Sequence, residues 1–175
     1  MRAWDEAKSI RNKSKIDHSL KKDVSFNSNT EAFDYIEMVM ESVVMAYTAL
    51  EAFVNENIPD DYKYHTHRKS EIIIEVMDKD QIERWLTLDE KLSSVLPEVL
   101  GVDAPKNQGC WSDFKKLQKI RNRIIHMKKE DRKSSGPDQP TLWHDIFKLE
   151  PPYRQAKKLI DYYIKAIENK PRWYG

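Results

Sequence analysis

The stretch that decides the fold is SNTEAFDYIEMVMESVVMAYTALEAFVNENIP, residues 28–59, which has no glycine and no proline before its last position. Ser28 stands three residues before Glu31, the spacing of a capping box at the start of a helix. Apolar residues then recur at steps of three and four, which places them on one helix face. They are Ala32, Ile36, Val39, Val43, Tyr47, Leu50 and Val54. The pattern predicts one long central helix.

Shorter helices are predicted to follow, separated by turn-forming residues. Residues 60–69, DDYKYHTHRK, predict a loop, and residues 70–101 predict a short apolar run followed by two short helices. Thr87 and Glu90 repeat the capping-box spacing, and Gly101 is typical of a helix end. No strand pair stands out in the pattern. We therefore predict an all-α fold, a small helical bundle.

The two ends of the chain differ in character from its centre. Residues 1–28 are polar and lysine-rich, and they predict a separate N-terminal segment with a short helix over residues 4–20. Residues 29–175 predict a single helical domain. Within it, KEDRKSSGPDQP at residues 129–140 is dense in turn formers and predicts a linker. A short helix over residues 143–147 and a final helix after a Pro-Pro break complete the prediction.

Composition limits the classes of protein to consider. The chain is 39% hydrophobic and 34% charged with four glycines, which is typical of a helix-rich protein. Its net charge is only +1, so attraction to nucleic acid must come from local clustering. The single cysteine, Cys110, excludes an internal disulfide and fits a reducing compartment. Since no signal-like or membrane-length apolar stretch is present, we predict a cytoplasmic protein without membrane contact.

A second stretch, KKLQKIRNRIIHMKKED at residues 115–131, concentrates groups able to do chemistry. The apolar face of this predicted helix consists of Phe114, Leu117, Ile120 and Ile124. At about 100° per residue, Arg121 lies about 40° from the centre of that face. Asn122 and His126 lie about 140° and 180° away from it. These two side chains are therefore predicted to point away from the core, toward solvent or a partner.

The hexapeptide RNRIIH, residues 121–126, resembles the Arg-x4-6-His signature of the HEPN superfamily, in which a polar residue, often Asn, follows the Arg. The order of elements is also similar: a long helix, an insertion, the motif helix, a loop and a closing helix. The resemblance covers most of the chain from about residue 30. It implies a HEPN-like helical bundle with a long central helix and a helical insertion over residues 60–110.

The resemblance also implies a function. Proteins with this motif are mostly metal-independent endoribonucleases of toxin–antitoxin, abortive-infection and RNA-processing systems, and they act as dimers. It therefore implies RNA as substrate, a homodimer, a cognate antitoxin protein as a further partner, and no cofactor or metal. In many members an acidic or polar residue on the preceding long helix supports the site. Glu51 is the corresponding candidate in this chain.

The residue types fit RNA cleavage even without the family resemblance. Cleavage of RNA without a metal uses the adjacent 2′-hydroxyl as nucleophile, so the site must move protons and stabilise charge on phosphorus. Histidine titrates near neutral pH, so His126 can move protons. Arg121 can bind phosphate oxygens with its planar fork of donors, and Asn122 can orient His126 or hold the phosphate. No carboxylate cluster lies nearby in the sequence to hold Mg²⁺.

The surroundings of the motif are basic. Nine lysine or arginine residues lie between positions 115 and 133, against two acids, Glu130 and Asp131. Such a stripe can attract a phosphate backbone, although a lysine run is often only a solvated helix face. The predicted RNA-binding residues are Lys115, Lys119, Arg123, Lys128 and Lys129.

Two hypotheses from different classes follow. The first is a metal-independent endoribonuclease with Arg121, Asn122, His126 and Glu51 at its site, acting as a toxin or an antiviral defence effector. The second is a non-catalytic HEPN-like module that binds a nucleotide, RNA or a partner protein. The outward histidine beside an asparagine favours the first, because a scaffold does not need that pair. His65 and His67 have no further ligand at metal-binding spacing, so no metal site is predicted.

Overall fold

The computed structural model of the chain describes residues 1–13, 15–16, 24–67, 74–129, 131 and 142–174. The helices are α1 Arg2–Lys13, α2 Asn29–Glu56, α3 Lys79–Trp85, α4 Leu88–Glu90, α5 Leu96–Leu100, α6 Gly109–Ile125, α7 Leu142–Phe147 and α8 Pro152–Ile164. A π-helical turn, Lys91–Val95, joins α4 to α5, and a 3-10 turn, Pro105–Asn107, precedes α6. The predicted all-α class is confirmed.

The described residues also form two small antiparallel sheets. Strand β1, Lys15–Ile16, pairs with β2, Val24–Ser25. Strand β3, Tyr64–His67, pairs with β4, Ile74–Met77, in a register that places Thr66 opposite Glu75. In the part of the chain that the structure describes, no helix combines the length and apolar character needed to cross a membrane.

Helix α2 is the predicted long helix, and its start shows why it begins there. The Glu31 amide donates to Ser28 Oγ at 3.1 Å, as a capping box requires. The Glu31 carboxylate accepts from the amide of Asn27 at 2.8 Å, one residue before the position that the box predicts. Most of the predicted apolar face is buried, with Val39, Val43, Leu50 and Val54 fully inaccessible, whereas Ala32 and Ile36 are half-buried. Burial of this face therefore stabilises the helix along its 28 residues.

The chain folds into two compact units, each built from two separate stretches of sequence. The first comprises residues 1–47 and 113–156, and the second comprises residues 48–112 and 157–175. Helix α1 belongs to the first unit and buries Trp4 in it. The predicted boundary at residue 28 lies inside the first unit, and a separate N-terminal segment remains a prediction.

The first unit places α7 against α2 through three aromatic rings. Phe26, Tyr35 and Phe147 have ring centroids 5.4 to 5.9 Å apart. Such clusters are more favourable than their buried area alone suggests. In the same unit α6 buries Phe114, Leu117, Ile120 and Ile124, so its predicted apolar face is confirmed. The burial of these four residues fixes α6, which carries residues 121–125.

The second unit confirms two predicted helix ends. Thr87 Oγ1 accepts from the Glu90 amide at 3.2 Å and starts the helical run of α4, the π-helical turn and α5. Gly101 ends that run with a φ of 63°, a left-handed conformation that glycine adopts without a steric penalty. Inside the unit, the buried Tyr163 hydroxyl donates to the carbonyl of Leu92.

Two local predictions are wrong. Residues 60–69 were expected to be a loop without strand pairing, yet they contain β3. Along β3, His65 is exposed and Thr66 is buried. Only one side of the strand is therefore covered, and the sequence has no apolar run that would indicate a strand. The N-terminal helix ends at Lys13 and not at residue 20. Since Lys15 pairs with Ser25 in an extended ladder, that backbone cannot continue the helix.

Candidate functional site

The candidate site begins with the last turn of α6. Asn122 and His126 are exposed and Arg121 is half-buried, as their spacing on the helix predicts. His126 follows the last residue of α6, and its amide donates to the Asn122 carbonyl at 2.9 Å. The helical hydrogen bonding therefore reaches His126. It keeps Asn122 and His126 one turn apart on the same outward face.

The guanidinium of Arg121 is held in place by two neighbours. Its Nη1 donates to Asn122 Oδ1 at 3.2 Å. Its Cζ lies 4.8 Å from the centre of the Tyr47 ring, a cation–π distance. The Tyr47 side chain is buried, and its ring stacks against Phe114 with centroids 6.3 Å apart. A rigid aromatic pair thus supports the positive charge at the edge of the core.

The contact with Arg121 also fixes how Asn122 can act. A guanidinium can only donate hydrogen bonds, so Asn122 presents its amide oxygen to Arg121. The NH₂ group of Asn122 then remains available to donate to an anion. Of the two roles predicted for Asn122, holding a phosphate fits this geometry, since the described contact of its oxygen is to Arg121 and not to His126.

Arg123 faces a different environment from Arg121. Its Nη2 lies 2.5 Å from Asp131 Oδ1, and its Nη1 donates to Asp145 Oδ2. The Asp131 carboxylate is buried and also accepts from the Leu142 amide at 3.2 Å. The hydrogen bond from Arg123 lowers the pKa of Asp131, and burial opposes this shift. Arg123 therefore joins α6 to Asp131 and α7, and its predicted contact with RNA remains a prediction.

The lysines predicted to bind RNA are exposed. Lys119, Lys128 and Lys129 are open to solvent, and so is Lys115, whose Nζ donates to Gln118 Oε1 at 2.7 Å. Since Lys119 and Asn122 are separated by one helical turn, positive charge extends along the outward face of α6. The exposed basic side chains therefore accompany Asn122 and His126.

Glu51 has a partner of its own in the second unit. Its Oε1 lies 3.7 Å from Nζ of Lys91, a lysine that is completely buried in the π-helical turn. Lys91 also donates to Asn55 Oδ1 at 3.1 Å and to the Glu83 carbonyl at 2.9 Å. Burial lowers the pKa of Lys91, while the carboxylate of Glu51 opposes that shift. The role of Glu51 in supporting residues 121–126 remains a prediction.

Sequence reasoning missed two kinds of residue at this site. Tyr47 was placed on the core face of α2, which is correct, but its contact with Arg121 was not predicted. Asp131 was counted only as one of two acids in a basic stripe, and Asp145 was not considered. The periodicity of α2 signalled that Tyr47 would be buried. No pattern within α6 could identify residues from other segments as partners of its arginines.

Metal ligands do not gather at the candidate site or elsewhere in the described chain. Among the residues that the structure describes, no group of three or more His, Cys, Asp or Glu side chains could hold a metal ion. His65, on β3, is exposed, and Cys110, near the start of α6, is half-buried.

Known proteins offer no further guide to the site. Comparison of the chain with protein-family models, with curated proteins and with solved structures finds no match. Function must therefore be inferred from the side chains and from the resemblance carried by residues 121–126.

Proposed function

We propose that this chain is a metal-independent endoribonuclease of HEPN type that cleaves RNA by attack of the 2′-hydroxyl on the adjacent phosphorus. One observation supports this most strongly. The outward face of α6 presents Asn122 and His126, and the guanidinium of Arg121 is held by Tyr47 and Asn122. A positioned cation, an amide donor and an imidazole are the groups that metal-free phosphoryl transfer needs.

Each residue has a distinct task in the proposed reaction. A bond forms between the 2′-oxygen and phosphorus, and the bond from phosphorus to the 5′-oxygen breaks. The 2′-hydroxyl proton must pass to a base, and the leaving 5′-oxygen must receive one. His126 can carry out either transfer. Arg121 donates to the phosphate oxygens as their charge grows, and the NH₂ of Asn122 donates to the same group.

A homodimer is part of this proposal. One chain offers a single His126, whereas the reaction needs both a proton acceptor and a proton donor. A symmetric two-fold interface that brings two copies of residues 121–126 together would supply both. Ile125, which directly precedes His126 in the chain, is 49% exposed, so an apolar contact there is available to a second copy.

The exposed lysines supply the binding part of the proposal. Lys115, Lys119, Lys128 and Lys129 would contact successive phosphates, so binding should weaken as salt concentration rises. A cytoplasmic location and action as a toxin or antiviral effector, with a cognate antitoxin, belong to the same proposal. The toxin or effector role and the antitoxin are supported by the resemblance of residues 121–126, and the cytoplasmic location by the single cysteine.

The decisive experiment is incubation of the purified protein with single-stranded RNA in EDTA. We expect cleavage that leaves a 2′,3′-cyclic phosphate or 3′-phosphate upstream and a 5′-hydroxyl downstream. His126→Ala should abolish it, whereas His65→Ala, which removes an exposed histidine on β3, should not. A single 2′-deoxy nucleotide at the cut site should block cleavage, since it removes the nucleophile. Cleavage that tolerates that nucleotide or requires Mg²⁺ would disprove the mechanism.

The alternative is a non-catalytic HEPN-like module that binds a nucleotide, RNA or a partner protein. The exposed Ile125 favours it, because an apolar side chain on a polar face is typical of a protein–protein contact. The same assay separates the two proposals. Salt-sensitive RNA binding without cleavage, unchanged by His126→Ala, would favour the binding module.

A further inference from the structure

A cavity of about 630 Å³ lies in the second unit, between the β3–β4 sheet and the helices that follow it. Its walls include Thr66 from β3, Glu75 and Met77 from β4, Trp85 at the end of α3 and Glu90 at the end of α4. The volume falls in the range of small-molecule and side-chain binding sites. The proposed nuclease chemistry uses none of these residues, so the cavity requires an explanation of its own.

Thr66 suggests that the cavity receives a polar ligand. Its side chain is only 7% exposed, and Oγ1 has no hydrogen-bond partner in the described part of the chain. A buried hydroxyl without a partner is costly, and most such groups in folded proteins are satisfied. Because Thr66 lines the cavity, a bound ligand can supply the missing partner.

Trp85 suggests that the ligand has a flat or cationic surface. Its side chain is 73% exposed, which is unusual for an indole and leaves the ring open at the cavity. Trp85 is the last residue of α3, which begins with a complete capping box formed by Asp78 and Gln81. Indole is the aromatic group that binds cations best.

The charge of the lining residues indicates the charge of the ligand. Glu90 is among the lining residues, and the described lining includes neither lysine nor arginine. A cation therefore complements the cavity. Among organic cations, a guanidinium can stack on the indole while its in-plane N–H groups donate to carboxylates. Its five donors are also enough to reach Thr66 Oγ1.

We infer that this cavity is a binding site for a guanidinium group, with Trp85 as the stacking surface, Glu90 as the main carboxylate and Thr66 as a further acceptor. The guanidinium can belong to an arginine side chain of a peptide or to a free small molecule. Both share the same recognition chemistry. The inference is independent of nuclease activity, so it can be tested on the His126→Ala protein as well as on the unmodified chain.

Calorimetric titration with three probes tests the inference. The probes are the capped tripeptide Gly-Arg-Gly, the same tripeptide with the uncharged isostere citrulline, and agmatine. We expect the arginine peptide to bind at least about tenfold more tightly than the citrulline peptide. Agmatine binding as tightly as the arginine peptide identifies a free ligand, and weaker agmatine binding identifies a peptide. Equal binding of the arginine and citrulline peptides, or no binding at millimolar concentration, would overturn the inference.

Variants locate the binding to this cavity. Glu90→Gln and Trp85→Leu should each weaken binding of the arginine peptide about tenfold, and the exposed Trp85 can be replaced without disturbing the core. Asp80→Asn, which removes one charge from α3 outside the cavity lining, should leave the affinity within about twofold. Thr66→Val should weaken binding while leaving the protein as stable as before or more so. Binding unaffected by both Glu90→Gln and Trp85→Leu would also overturn the inference.

Discussion

The guanidinium of Arg121 lies 4.8 Å from the centre of the Tyr47 ring, and this contact joins α6 to α2. Residue 121 is the first of the hexapeptide that resembles the HEPN signature, while Tyr47 belongs to the buried face of the long helix. The pair shows how a core residue can position a charged group at the surface. It makes Tyr47 a positioning residue in the proposed site.

Replacing Tyr47 tests whether its ring positions Arg121 for RNA cleavage. Tyr47→Leu removes the ring beneath Arg121, and we expect RNA cleavage to fall by about tenfold, a typical effect of losing a cation–π contact. Tyr47→Phe keeps the ring and should retain most of the activity. The measurement is the single-turnover cleavage rate at saturating protein. Equal losses in both variants would show that the hydroxyl, and not the ring, is what the site needs.

His126→Ala and Arg121→Ala should abolish cleavage with little effect on folding. His126 is exposed, so we expect its replacement to change the unfolding free energy by less than about 0.5 kcal/mol. Arg121→Ala also loses the contact with Tyr47 and should cost about 0.5–1 kcal/mol. Urea unfolding followed by circular dichroism measures both. A His126→Ala protein that fails to fold would identify a structural histidine.

The proposed homodimer should be visible in solution. Sedimentation at micromolar concentration should show twice the 20.8 kDa mass of one chain. Ile125→Lys places a charge in the proposed apolar contact, so it should shift the protein to monomer and reduce cleavage together. Exposed Met45 on α2 provides the control, because Met45→Lys adds the same charge on another helix. A fully active monomer would refute the dimer.

We expect Asp131 to make the free energy of unfolding depend on pH in the acid range. The hydrogen bond from Arg123 lowers the pKa of Asp131 below its ordinary value of 3.8. The folded state thus holds this proton less tightly than the unfolded state. The resulting stability is fully present above about pH 4, and it decreases as pH falls through the folded-state pKa. Urea unfolding between pH 6 and pH 2 measures this decrease.

Asp131→Asn should flatten this acid dependence. Asparagine keeps an oxygen for the Leu142 amide but cannot titrate or pair as an anion with Arg123. Asp34→Asn, at an exposed position of α2, should leave the dependence nearly as it is in the unmodified protein. An unchanged slope in Asp131→Asn would mean that the ion pair does not couple to folding.

A double-mutant cycle should decide between two roles for Glu51. If Glu51 serves as the counterion of Lys91, Glu51→Gln should destabilise the protein by about 1 kcal/mol, a modest effect because its side chain is 42% exposed. In a Lys91→Met background the same change should have almost no effect. Loss of cleavage in a Glu51→Gln protein of unchanged stability would instead support the catalytic role predicted for it.

Much of the helical framework could be predicted because helix formation and amphipathic periodicity are local. The burial of Val39 and Val43 in α2, and of Leu117 in α6, follows from spacings of three and four residues. The outward direction of Asn122 and His126 follows from the same geometry. The capping residue Thr87 and the left-handed Gly101 were also predicted from neighbours within three or four positions.

The partners of these residues were decided only by the tertiary structure. Arg121 and Arg123 are two positions apart in one basic stripe, yet one lies over Tyr47 and the other pairs with Asp131 and Asp145. The β3–β4 pairing escaped prediction for a related reason. A strand is stabilised by hydrogen bonds to another segment, whereas a helix forms its hydrogen bonds within itself. Contacts between distant segments depend on how the helices pack, so they cannot be predicted from the spacing of residues along one helix.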